Sequence, residues 1–78
     1  MLKSIQFEQE VHCVKELNDY LIVAGLNNGE IQIYDLNKME IIQTISAHSS
    51  YVYRLLLSNG NLLSSSEKGK IKLWQILP

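Results

Sequence analysis

Among its 78 residues the sequence has one cysteine, one proline, one tryptophan and one phenylalanine. The lone Cys13 leaves no internal disulfide framework and suits a reducing compartment. An excess of either charge is also missing: seven Lys and Arg stand against eight Asp and Glu. That balance creates no field to gather nucleic acid or an anionic membrane surface. The opening Ser4-Ile5-Gln6-Phe7-Glu8 is too polar and broken for a secretory signal core or a membrane span. The expected location is therefore cytoplasmic, with the nucleus left open. No Gly/Ser/Pro-rich linker or low-complexity run divides the chain, so residues 1–78 are read as one unit. A chain this short buries only about 60% of the surface its unfolded form exposes, and its core is thin.

Constellations that carry chemistry are scarce too. His12 and Cys13 are adjacent, so on a strand they point to opposite faces and do not line one site together. A Cys/His nucleophilic pair would need Cys13 beside His48, and nothing in the sequence supports that. His12, Cys13 and His48 are too few and wrongly spaced for a structural zinc site. Ser64-Ser65-Ser66 lies in no Gly-x-Ser-x-Gly elbow and precedes no helix. Asn27-Asn28-Gly29 and Lys68-Gly69 read as hairpin turns rather than phosphate loops, because no helix amino terminus follows them. Lys68, Lys70 and Lys72 alternate along the last strand and read as solvated or edge-guarding lysines. The aromatic residues are not interleaved with Arg as nucleic-acid stacking platforms would be. No catalytic, metal-ligating or cofactor-binding residue is assigned, and the chain is not expected to be an enzyme.

What is present is a repeat. Ile22-Val23-Ala24-Gly25-Leu26-Asn27-Asn28-Gly29-Glu30-Ile31-Gln32-Ile33-Tyr34-Asp35 aligns without a gap on Leu62-Leu63-Ser64-Ser65-Ser66-Glu67-Lys68-Gly69-Lys70-Ile71-Lys72-Leu73-Trp74-Gln75. Gly29 and Gly69, Ile31 and Ile71, and Tyr34 and Trp74 are each forty residues apart. Upstream, Val11-x-x-Val14 matches Val52-x-x-Leu55 at an offset of 41. The slip falls between the Asn18-Asp19 and Ser58-Asn59-Gly60 turns. Within each repeat, short β-branched runs alternate with turn residues, and no stretch carries a helical period with caps. The expected strands are Val11–Leu17, Tyr20–Leu26, one around Ile31–Tyr34, Met39–Ile45, Tyr51–Leu57, Leu62–Ser66 and Lys70–Leu77. Tyr20–Leu26 is nearly continuous in apolar residues, as in a strand buried on both faces.

Short strands repeated near forty residues mark a propeller blade, and the chain resembles the WD-repeat family. Ala47-His48 stands where the family has Gly-His, and Ile71-x-Leu73-Trp74-Gln75 stands for its Trp-Asp end. In the first repeat Tyr34-Asp35 takes the Trp-Asp place. The resemblance implies an all-β fold, two four-stranded antiparallel blades of a β-propeller, incomplete as a single chain. Repeat 1 spans about residues 3–36 and repeat 2 about 39–77. It also implies a partial blade relay of His48, Ser64 and Trp74, in which Lys68 stands where the family has an acidic residue. On the same pattern Lys3–Phe7 is a spare outer strand and the second blade lacks one.

Propellers need ~4 to 8 blades, so two readings stand open. Lys3–Phe7 of one chain completes the second blade of the next, giving a head-to-tail trimer or tetramer, or the chain is a piece of a longer propeller. The function implied is a protein–protein interaction scaffold whose partners are proteins or peptides, with Tyr51 and Arg54 as candidate contacts. A purely structural ring-forming module is the alternative.

Overall fold

A computed structural model describes residues 4–67 and 69–75 as seven strands in two antiparallel sheets. The strands are β1 (Val11–Glu16), β2 (Leu21–Leu26), β3 (Glu30–Asp35), β4 (Glu40–Ser46), β5 (Val52–Ser58), β6 (Asn61–Ser66) and β7 (Ile71–Gln75). The first sheet runs β1-β2-β3-β4 and the second β5-β6-β7. The all-β expectation holds, and so do the seven strand positions to within about two residues, except that the expected end of the last strand at 76–77 lies outside the described residues. The expectation of two four-stranded blades does not: the sheets have four and three strands, and neither closes on itself.

Turn chemistry explains the boundaries. Asn18 Oδ1 accepts the backbone N–H groups of Tyr20 and Leu21 at 2.9 and 3.0 Å, which folds β1 back towards β2. Asp35 Oδ1 does the same for Asn37 and Lys38, at 2.8 and 3.0 Å, before β4. Asn59 and Gly60, with φ of 48° and 81°, form the two-residue loop between β5 and β6. Two successive positive φ angles are what a tight hairpin with right-handed strand twist requires.

The forty-residue repeat is visible in the ladder irregularities as well. The register of β1 on β2 shifts between Val11 and Cys13, and that of β5 on β6 between Val52 and Arg54. These are counterpart positions at the 41-residue offset.

The core lies between the two sheets. Leu21, Val23, Ile31 and Ile33 from the first sheet meet Ala47, Val52, Leu55 and Leu62, with Cys13, Leu57 and Trp74 at the margin. Across the core, β1 and β2 pack against β5. Gly25 makes that approach possible. A Cβ there would lie 2.7 Å from both Cys13 Sγ and Val52 Cγ1, inside van der Waals contact.

The amino-terminal segment departs from expectation. Residues 4–7 form no strand, and Lys3 lies outside the described residues. Phe7 instead packs against Tyr34 at 5.9 Å between ring centroids, on the face of the first sheet turned away from the second. Glu10 O then accepts the Asn27 N–H at 2.9 Å. The physical reason is distance along the fold. The free edge of β7 in the same chain belongs to the second sheet, on the other side of the core, whereas the apolar Phe7 finds the buried Tyr34 at once. Among the described residues no strand pairs with the outer edge of β7.

Candidate functional site

Two side-chain clusters collect the residues singled out in the sequence. The first brings His48, Ser64 and Trp74 together. Trp74 Nε1 donates to Ser64 Oγ at 2.8 Å, and Ser64 Oγ lies 2.8 Å from His48 Nε2. Ser64 is buried on β6, opposite Lys72 of β7 and Leu55 of β5. An indole only donates, so Ser64 Oγ accepts from Trp74 and its own hydroxyl hydrogen is left to donate to His48 Nε2 in the tautomer where that nitrogen is unprotonated. The direction of the chain is then Trp74 to Ser64 to His48. Lys68, at the place of the family's acidic residue, lies outside the described residues.

The charges around His48 reinforce the neutral ring. Burial first, and then the ammonium groups of Lys72 and Lys70, lower its pKa below the ordinary 6.5. Lys72 also corrects the expectation of a solvated edge lysine. Its side chain turns inward, donates to Ala47 O at 2.7 Å, and sits 6.0 Å from the Trp74 ring centroid. The stem of a lysine packs on apolar surface while its ammonium finds an oxygen, and here that oxygen belongs to the 46–50 segment. A cleft of about 450 Å³ opens between that segment and Ser66, Lys70 and Lys72.

A pH dependence follows. Because the folded-state pKa of His48 is lowered, the unfolded chain binds more protons below the ordinary value. The contribution of the neutral ring is fully present above pH 6.5 and is lost as pH falls from there through the lower folded value. Denaturant midpoints measured from about pH 7.5 to 5 should fall, and His48→Gln should flatten that slope. An unchanged slope in His48→Gln would remove the ring from this account.

The second cluster surrounds Tyr51 and Arg54. His12 stacks on Tyr51 with centroids 4.7 Å apart and planes 19° from parallel. Tyr51 lies 6.5 Å from Tyr53, and the Arg54 guanidinium sits 5.5 Å over the Tyr53 ring. Tyr51 is half-buried, whereas Tyr53 and Arg54 are exposed. An aromatic ribbon therefore bridges β1 and β5, and it ends in a cation. Sequence reasoning picks out Tyr51 and Arg54 but not their partners His12 and Tyr53. The 41-residue offset is the signal that pairs His12 with Tyr53 as counterparts.

Cys13 is separate from both clusters. Its thiol points into the margin of the core, 3.6 Å from Val52 O, and burial raises its pKa against the lowering effect of a bond with the Gly25 backbone. A thiol held protonated in this way is a poor nucleophile. The structure does not bring Cys13 and His48 together into a pair. Among the described residues no group of three His, Cys, Asp or Glu is placed to hold a metal ion.

No protein-family model matches the chain. No curated protein matches it either. Its fold does match solved structures. The computationally designed Ika8 protein superposes with a TM-score of 0.75 at 21% identity, covering 85% of this chain and 20% of that one. The computationally designed Ika4 protein gives 0.74 at 21% identity, covering 85% of this chain and 41% of that one. The chain thus spans a fifth and two-fifths of the length of these structures. At this identity the likeness concerns the fold alone.

Proposed function

We propose that the chain is a protein-interaction module of the WD-repeat propeller type, completed by further β-structure from copies of itself or from a longer chain. The observation that carries this reading is the second sheet, whose outer edge is unpaired among the described residues and whose outer face is apolar. Exposed edges and large apolar patches are interaction surfaces or aggregation hazards. The forty-residue repeat and the hydrogen-bonded His48, Ser64 and Trp74 support the WD-repeat assignment. The proposed setting is the cytoplasm, and no catalytic step forms part of the role. Fold alone does not specify function, so the assignment to protein or peptide partners rests on the family resemblance and on the Tyr51–Arg54 cluster. Tyr and Arg are among the residue types enriched at binding hot spots.

The test has two parts. Sedimentation and native mass measurements across the micromolar range should show association beyond the monomer. Affinity capture with the chain as bait should recover a protein whose binding weakens at least about tenfold in Tyr51→Ala or Arg54→Ala, the effect of losing a modest hot spot. A monomer at every concentration overturns self-completion. Capture indifferent to both residues overturns their role as contacts.

A further inference from the structure

The two sheets are counterparts, and the chain already contains one example of how they fit together. The first sheet presents Val23, Ile31 and Ile33 to the second, and all three are at most 1% exposed. Forty residues on, their counterparts are Leu63, Ile71 and Leu73. These lie on the outer face of the second sheet, where Leu63 pairs with Leu73 and Ser65 with Ile71. Ile71 and Leu73 are 68% and 62% exposed, and Leu56, opposite Leu63, is 56% exposed. The same residue pattern is fully covered in one sheet and largely bare in the other.

The converse holds at the other end. The second sheet presents Leu62, Ser64, Ser66 and Trp74 inward, and their counterparts Ile22, Ala24, Leu26 and Tyr34 share the outer face of the first sheet. At the centre of that face Ala24, Leu26 and Tyr34 are buried, and only its margins are bare. Phe7 lies over Tyr34, while Val14 and Ile41, on the same face, remain 55% and 45% exposed.

We infer that the outer face of the second sheet is a docking surface for a second copy of this chain. The copy seats the outer face of its own first sheet there, and residues 5–9 are an intramolecular cover that must move aside. This rests on the self-completing module proposed above and supplies its contact surfaces. The internal interface is the template: a face built like Leu62, Ser64, Ser66 and Trp74 seats on a face built like Val23, Ile31 and Ile33. Charge favours the same pairing. Arg54 and Lys15 border the bare face beside Leu56, Leu63 and Ile71. Glu16 and Glu30 lie on the outer face of the first sheet, with Glu8 in the cover. Such a contact is heterologous, so each copy offers one surface of each kind.

The cover sets the strength of assembly. A face that is open only part of the time binds more weakly by the fraction open, so Phe7→Ala should tighten self-association of the full chain by roughly tenfold. Leu73→Glu blocks one surface and Val14→Glu blocks the other, both at exposed positions where folding is preserved and verifiable by circular dichroism. Each blocked chain alone should stay monomeric by sedimentation, while an equimolar mixture forms a one-to-one dimer and stops there. Self-association by either blocked chain alone overturns the pairing. If Phe7→Ala or deletion of residues 4–9 weakens assembly, docking through this face is wrong, and the segment acts as an exchanged strand instead. If no variant associates at any concentration, self-completion itself fails along with the docking.

Discussion

Gly29→Ala is expected to cost about 2–5 kcal/mol of stability, combining a left-handed backbone penalty of about 1–2 with an overpacking cost of about 1–3. Gly29 has a φ of 92°, and a Cβ there would run into the His48 carbonyl, with the Ser50 carbonyl oxygen at 2.7 Å. Neither obstacle is the end of a flexible side chain. The Gly29 carbonyl also accepts the N–H groups of Ala47 and His48 at 3.2 and 3.0 Å, so this hairpin is where the first sheet holds the start of the second repeat. A domain of this length has about 4–12 kcal/mol in total, at about 0.05–0.15 per residue. The substitution therefore removes a large part of it. Gly60→Ala is the control, because Gly60 has a φ of 81° but a methyl group there would meet nothing within 4 Å. It should cost only about 1–2 kcal/mol, the backbone penalty alone. Urea unfolding followed by circular dichroism separates the two. Equal losses would mean that contact with residues 48–50 contributes nothing.

Leu62→Ala carries the second large effect, an expected loss of about 2–5 kcal/mol. Leu62 is fully buried between Leu57 and Trp74 on neighbouring strands, and it faces the first sheet across the core. Truncation leaves a cavity that two packed sheets fill only by shifting against each other. Leu56→Ala, on the opposite face of the same sheet, should change monomer stability by no more than about 0.5 kcal/mol. For a domain of this size each kcal/mol moves the melting temperature by about 4–8 °C, so thermal scans at low protein concentration resolve the contrast. Similar losses at the two leucines would contradict the assignment of inner and outer faces.

Much of this architecture is legible in the chain. Alternation of Ile31 and Ile33 with Glu30 and Gln32, and the Asn-Gly pairs at 28–29 and 59–60, mark strands and turns because both are local effects. Side-chain direction has a period of two, and positive φ favours Gly and Asn. The grouping of His48, Ser64 and Trp74 follows instead from the resemblance to the WD-repeat pattern, since the first repeat has no matching histidine. Lys72 escapes such a reading for an equally physical reason. On an edge strand a lysine and a core residue share the same local pattern, and only the arrival of Ala47 O from a distant loop turns its ammonium inward.

By itself, the sequence determined that the protein is all-β, where seven of its strands lie to within about two residues, and that its two halves are built alike. Those outcomes depend on residues within a few positions of one another or on direct comparison of the halves. Only the tertiary structure decided the strand count of each sheet, the place of residues 4–7, and which apolar faces are covered. Pairing of a strand edge depends on which segment can reach it, and Phe7 reaches Tyr34 rather than the edge of β7. Val23 and Leu63 occupy equivalent positions in the repeat, yet only Val23 has a second sheet to cover it.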